Sequence, residues 1–541
     1  MISALATSVR TARDAPHRKN GHHGRFYPVF SMTHDRPGGR MDRLTLSLSV
    51  GFVAVFLVAS LFDLSGVSAA ISAGFTWTAK TLGAYFEWLL LATFFIALGI
   101  AASPAGRARI GRAEEPEFTT FQWLSIIMCT LLAGGGVFFA AGEPVYHFLN
   151  TPPAFDTNAG TAAAVPTALA QAFMHWGFLA WAILGALTAV VLARAHYDQG
   201  QPLRPRALLS GVFGPRVIAG PLGSVVDAVC VISVVAGTVG PIGFLATQVG
   251  YGLHVLIGTP SGLATQLTIV AVLGLVYVTS AVTGLARGIQ WLSRFNVILA
   301  LVIAAVIIVF GATSFLIDAW TEAMGTYISA FFTMATQTPL TAPAGWLKWW
   351  TIFFFAWFIG YGPLMAIFVA RISRGRTLRQ MIVSVAVLAP IATTIWFTLL
   401  GGSGIHGQMT GAFDLTQPLS AFKFDVATLT VAQSLPGGLV MALAILLLTS
   451  IFVATTGDSM SYAIAVVHTG DENPPAGLRA FWGILMAAMA AVLLAMGHGQ
   501  ISALQQFIVI TAIPVSLVLL PSLWTGPRAA MAMARDQGVL A

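Results

Sequence analysis

The chain has 541 residues, of which 57% are hydrophobic and only 9% charged, against about 25% charged in a soluble domain. A water-soluble fold is therefore excluded, and the formal net charge of +7 reads as a membrane-topology signal and not as a nucleic-acid surface. Cys129 and Cys230 both fall inside apolar runs and read as small packing residues, not as a disulfide or metal framework.

Residues 1–41 are polar and basic, with His17, His22 and His23, and are expected to be disordered. They lack the small-residue cleavage site of a signal peptide, and Met32 or Met41 is an equally good start. Residues 42–525 form one membrane domain, and 526–541 a short tail. Twelve apolar runs of bilayer-spanning length are predicted at 44–64, 82–102, 121–149, 164–194, 222–252, 262–282, 292–316, 346–371, 381–400, 437–466, 478–496 and 503–523. The predicted fold class is an all-α integral membrane protein. Arginines concentrate in alternate connections, at 107–112, 194–216, 287–294 and 371–379, while the intervening connections carry Asp156, Asp318, Asp414 and Asp425. Positive loops stay cytoplasmic, so both termini are expected there, in a bacterial inner membrane. The connection 318–345 reads as an outer amphipathic helix near the interface.

In the third run, AGGGVFFAAGEPVYHF, Gly134–Gly136 permit either an unwound backbone that binds ions or a carboxylate, or close helix packing. Glu143 is either a helix end meeting water or a functional intramembrane acid. In the fourth run, Trp176 and Trp181 are five apart, so on a regular helix their rings point about 140° apart and form two walls of a pocket. His175 beside them reads as a packed or capped residue. Asp227, early in the fifth run, and Asp458 in the tenth are either ion or proton sites or pins between helices.

The eighth run and its tail, WWTIFFFAWFIGYGPLMAIFVARISRGRT at Trp349–Thr377, concentrate the chemistry. Trp357 and Tyr361 lie four apart and share one helical face, beside Gly360, Gly362 and Pro363, where a weakened backbone can deviate from a regular helix. A quaternary ammonium has no proton to donate, so hydrogen bonds cannot hold it, whereas aromatic faces can. The rings therefore either cage a methylated cation or simply pack. In the tenth run, ATTGDSMS, the hydroxyls of Thr455 and Thr456 either supply oxygens to sodium or bond back to their own helix.

At these residues the chain resembles the betaine/carnitine/choline transporter family. The ARISRGRT tail of the eighth run carries the most specific match. It is supported by PEF at Pro116–Phe118, EPVYH at Glu143–His147, HWGFLAW at His175–Trp181, GLARGIQWLSRFN at Gly284–Asn296 and TTGDS at Thr455–Ser459. The resemblance implies two inverted five-helix repeats, spans three to seven and eight to twelve, after two extra N-terminal helices. It also implies a trimer and a substrate site between spans three, four, eight and ten. Trp176 and Trp181 match cage positions, with Leu184 where a third aromatic is expected. Trp357 is retained, while Phe358 and Tyr361 stand where tryptophan, or tryptophan and tyrosine, are usual.

The expected substrate is a small methylated onium zwitterion or cation of the betaine, choline or carnitine class. The altered cage keeps dimethylsulfoniopropionate and trimethylamine oxide as alternatives. For coupling, Thr455 and Thr456 resemble sodium-ligating hydroxyls, and carbonyls near Cys129 and Leu132 resemble their partners. Met365 instead resembles the methionine that replaces sodium in sodium-independent antiporters. Sodium symport is the first expectation and exchange the alternative. The expected cofactor is none beyond possible sodium, and the partners are membrane lipid and other copies of the chain, with no nucleic acid. A membrane-embedded enzyme subunit is the competing class, but the chain contains no zinc motif, phosphate loop or soluble catalytic domain.

Overall fold

The computed structural model describes residues 41–113, 115–132, 135–283, 286–435, 437–471 and 473–540, and leaves the side chains at 129–132, 286–291 and 293 undescribed. The predicted disordered segment therefore lies, up to residue 40, outside the described residues. Every regular element among them is helical; the one β-bridge joins Arg109 and Thr377. Helices satisfy all their backbone polar groups internally, which hydrocarbon demands.

The chain opens with α1 (Arg43–Phe62) and α2 (Leu64–Ala102), separated only by Asp63. The Asp63 carboxylate accepts from the Gly66 amide at 2.8 Å and so caps the second helix. Residues 65–81, expected in a connection, thus lie in a helix of 39 residues. The third predicted span is two helices, α3 (Thr120–Leu132) and α4 (Gly135–Leu149). The fourth is broken into α5 (Ala164–Trp176), α6 (Phe178–Ile183) and α7 (Thr188–Ala193). Next come α8 (Pro221–Ile257), α9 (Leu263–Thr283), α10 (Ala286–Phe310) and α11 (Thr313–Ser329).

The seventh predicted span, 292–316, overshoots: the chain bends by 108° between the helices 294–310 and 313–329. Gly311 sits at the bend, where a Cβ would lie 2.5 Å from the Ile307 carbonyl oxygen. The buried residues of α11, Leu316, Ala319, Ala323 and Tyr327, follow the three-and-four spacing of an amphipathic stripe, and this face packs on α5.

The second half contains α12 (Thr351–Ile372), α13 (Leu378–Val383), α14 (Ala389–Phe397), α15 (Ser403–Thr410) and α16 (Phe424–Ser434). It ends in α17 (Gly438–Thr469), α18 (Ala476–Met496), α19 (Ser502–Leu519) and α20 (Ser522–Asp536). Ten helical segments of the described residues are long and apolar enough to cross a bilayer, and counting the bent pair as one span makes eleven. The protein is therefore a multi-pass membrane protein. The count falls short of twelve because α3 and α4, at 13 and 15 residues, are each shorter than the roughly 20 residues of one crossing.

Burial sorts these helices. Segment 164–198 and α8 are buried almost throughout, whereas α1 and α9 expose most of their length, with Leu61, Phe62 and Leu275 pointing outward as lipid-facing residues do. The tail is not a free end: α20 packs on α7 and α2, Asp536 pairs with Arg194, and Gln537 exchanges hydrogen bonds with the Arg109 backbone at 2.7 and 2.8 Å.

Candidate functional site

Trp357 and Tyr361 both reach α8 from one face of α12, as their spacing requires. The Trp357 indole N–H donates to the Gly237 carbonyl at 3.2 Å, and the Tyr361 hydroxyl shares a 2.8 Å hydrogen bond with Thr238 Oγ1. Gly237 leaves no room for a side chain, since a Cβ there would lie 2.4 Å from Tyr361 Cε2. The expected weakness beside these rings is absent: α12 runs unbroken through Gly360, Gly362 and Pro363. The glycines serve close packing instead. A Cβ on Gly360 would meet Ser233 Oγ at 2.5 Å, and one on Gly362 would meet the Ile183 carbonyl and Leu519 at 3.1 Å.

Trp176, at the end of α5, lies against this face. Its ring centroid is 5.9 Å from Trp357, 5.5 Å from Phe358 and 5.2 Å from Phe397 of α14. Phe139 of α4 adds a neighbour at 5.9 Å. Gly135 of α4 admits both indoles: a Cβ there would fall 2.4 Å from Trp357 Cη2 and 2.7 Å from Trp176 Cη2. The glycine run of the third span is thus a close-contact surface at Gly135, while Gly134 lies outside the described residues.

Trp181 is carried on a separate helix from Trp176. The 140° argument assumed one helix, but the chain leaves helical geometry at Gly177 (φ −98°, ψ −133°), where a Cβ would lie 2.3 Å from the Phe173 carbonyl. Buried in α6, Trp181 donates its indole N–H to Thr393 Oγ1 at 3.0 Å. The ring cluster therefore joins Trp176, Trp357 and Phe358, with Tyr361 on its α8 side and Trp181 anchored to α14.

Behind Trp176 sits a polar group that the sequence left open. Glu143 is fully buried inside α4 and is not a wetted helix end. Its Oε2 accepts from the Trp176 indole N–H at 2.7 Å, and its Oε1 lies 2.6 Å from His175 Nδ1. His175 Nε2 faces Gln171 Nε2 at 3.0 Å and Thr351 Oγ1 at 3.2 Å. His147, one turn along α4, places Nε2 3.7 Å from Glu143 Oε1, and neither of its ring nitrogens has a hydrogen-bond partner. The three side chains each offer a ligand atom within 4.8 Å of the others. Two ligands of one zinc, at about 2.0–2.1 Å and tetrahedral, stand roughly 3.4 Å apart. At 2.6 Å the Glu143–His175 contact is a hydrogen bond, not a pair of metal ligands.

The coupling candidates lie on α12, on α17 and in the third predicted span. Met365 is buried on α12. The Thr455 hydroxyl bonds back to the Ile451 and Phe452 carbonyls of its own helix at 2.9 and 3.2 Å, and Thr456 is half-buried beside it. α17 packs chiefly on α8, α9, α10, α16 and α18, whereas α3 packs on α12, α14 and α4. The Cys129 and Leu132 side chains lie outside the described residues. The ring cluster draws on α4, α5, α8, α12 and α14.

The ionisable groups left ambiguous resolve as pins. Asp227 accepts from the Arg206 amide and Nε at 2.8 and 2.7 Å, and Arg479 reaches Asp458 at 3.3 Å. The arginines after α12 bind the segment before α3: Arg374 pairs with Glu117 at 3.0 Å, and Arg376 donates to the Phe118 carbonyl at 2.7 Å.

A family model described as betaine/carnitine/choline family transporter matches residues 44–535. Glycine betaine transporter 2 of Vibrio parahaemolyticus serotype O3:K6 (strain RIMD 2210633) is 45% identical over 509 residues, covering 93% of this chain and 94% of that protein. Glycine betaine transporter OpuD of Bacillus subtilis (strain 168) is 33% identical over 80% of this chain and 85% of its own length. The ectoine/hydroxyectoine transporter of Virgibacillus pantothenticus is 30% identical over 89% and 96%.

Proposed function

Because the chain belongs to the betaine/carnitine/choline transporter family, we propose that it imports a methylated onium solute, glycine betaine foremost, by alternating access. It is a transporter and not an enzyme. The observation that carries the substrate reading is the ring cluster of Trp176, Trp357 and Phe358, assembled from two helices and admitted by Gly135. A desolvated cation–π contact is worth about 2 kcal/mol or more, with the cation within roughly 6 Å of each ring centroid. Trp176 and Trp357 are themselves 5.9 Å apart, so a trimethylammonium group placed between them requires these rings to part. Such parting fits a carrier that alternates between closed and open states. The names of the relatives that transport glycine betaine favour that solute over dimethylsulfoniopropionate or trimethylamine oxide.

The reading extends to twelve spans, with α3 and α4 together forming the third. It also takes in the inverted five-helix repeats, a homotrimer, and a bacterial inner membrane with both termini cytoplasmic. Sodium symport through Thr455, Thr456 and carbonyls near Cys129 and Leu132 is the primary coupling reading. A second reading, sodium-independent exchange, is favoured by the back-bonded Thr455 hydroxyl and by buried Met365, one turn beyond Tyr361.

Uptake of labelled glycine betaine, choline and carnitine into proteoliposomes tests this. Saturable betaine uptake driven by an inward sodium gradient supports symport. Uptake that needs internal substrate and ignores sodium supports exchange, and no saturable uptake of any onium compound overturns the proposal.

A further inference from the structure

We propose that Glu143 is the fixed negative charge of the cation site, acting through Trp176 to make the cage select for positive charge. The inference rests on the transporter reading above.

Three observations carry it. First, Glu143 is fully buried, and its only ion-pair partners among the described residues are histidines; no lysine or arginine pairs with it. Second, both carboxyl oxygens face ring nitrogens. Trp176 Nε1 donates to Oε2 at 2.7 Å, and Oε1 lies 2.6 Å from His175 Nδ1, which carries the proton and donates it in the tautomer that the proposal assigns. A carboxylate accepting on both oxygens from neutral donors retains its full charge. Third, the charge sits directly behind the ring that faces Trp357 and Phe358. An ionised acceptor strengthens the indole N–H bond, and a negative charge on that edge deepens the electron-rich face presented to a cation.

A buried anion without a fixed cation is costly, and a positively charged solute nearby offsets that cost only while it is bound. Charge selectivity then follows from the protein's own electrostatics and not from ring packing alone. Glu143 touches no solute in this account; it is a positioning and charge-bearing residue.

The test separates charge from shape. Glycine betaine and 3,3-dimethylbutyrate share the same outline, but carbon replaces the quaternary nitrogen in the second. Purified wild-type protein and Glu143→Gln are titrated with both, using tryptophan fluorescence and competition against labelled betaine. Glutamine keeps the size of the side chain and can still accept from Trp176. The expected result is about tenfold weaker betaine binding with unchanged or tighter binding of the isostere, so that the affinity ratio collapses. Loss of both ligands in proportion, or an unchanged ratio, overturns the proposal by reducing Glu143 to a structural role. If Glu143→Gln does not fold, Glu143→Asp, which keeps the charge but withdraws it by one methylene, must lower the ratio partway; an unchanged ratio overturns the proposal equally. Wild-type protein that binds no onium compound would instead remove the transporter reading itself, and this inference with it.

Discussion

The Trp357 indole and the Gly237 carbonyl are joined by a 3.2 Å hydrogen bond between α12 and α8, at a point where α8 has no side chain. Gly237→Ala would put a Cβ 2.4 Å from Tyr361 Cε2, and a buried aromatic ring cannot yield that distance cheaply. Overpacking of this kind costs about 1–3 kcal/mol. The expected outcome is a lower unfolding temperature together with a severalfold rise in KM for betaine, read by thermal unfolding and proteoliposome uptake.

Trp357→Ala and Tyr361→Ala are each expected to raise the uptake KM at least severalfold, with Trp357→Phe intermediate because a face is retained while the indole hydrogen bond is lost. Unchanged kinetics in folded alanine variants would remove both residues from the cage.

Arg206 and Asp227 form a buried pair whose side chains are 5% and 0% exposed. Removing one partner of such a pair strands the other charge and costs about 3–5 kcal/mol. Asp227→Ala is expected to destabilise the protein by that order in chemical or thermal unfolding, without a selective effect on solute affinity. A change confined to ion dependence would instead restore Asp227 as an ion site.

Asp42, just before α1, connects to the same arginine. Burial pushes its carboxyl up, but hydrogen bonds from the Thr45 amide, Arg206 and Ser224, with the arginine's charge, outweigh burial and hold it well below its usual value. A depressed folded pKa stabilises above the unfolded value of about 3.9 and is lost as pH falls towards the folded one. The stability gap between wild type and Asp42→Asn should therefore be constant from pH 7 to about 5 and narrow below about pH 4. A gap that widens on acidification would contradict the assignment.

Gly375 adopts φ +80°, and a Cβ there would lie 2.4 Å from the Glu115 carbonyl, so Gly375→Ala meets both a left-handed backbone and a fixed main chain. Loss of more than about 1 kcal/mol of stability is expected, measurable by thermal unfolding in detergent.

Hydropathy made the helices legible because hydrocarbon leaves a chain few alternatives. It was weaker where two short helices fall within one predicted span, as at α3 and α4, and where a glycine breaks one. Gly177 looks in sequence like any glycine tolerated in a membrane helix; only the approach of the Phe173 carbonyl and Tyr327 hydroxyl explains its geometry. The four-residue spacing of Trp357 and Tyr361 put both on one helical face, and both reach α8. The Glu143–Trp176 bond joins residues 33 apart, a partnership that no local pattern encodes. EPVYH at Glu143–His147 and HWGFLAW at His175–Trp181 were the available signal, read separately although Glu143 bonds to both His175 and Trp176.

At the arginine-bearing end, α3 and α12 are fastened together. Arg376 lies over the Trp123 ring at 4.8 Å, and Trp123 donates to Ser373 Oγ at 3.1 Å. Trp357 stands 15 residues before Ile372, the last residue of α12, or about 22 Å along the axis at 1.5 Å per residue. With that fastening as fulcrum, α12 is a lever arm: a tilt of about 5° sweeps Trp357 through about 2 Å. A small rotation at an arginine–tryptophan stack thus becomes, towards the other end of a stiff unbroken helix, a displacement comparable to the van der Waals radius of a methyl group.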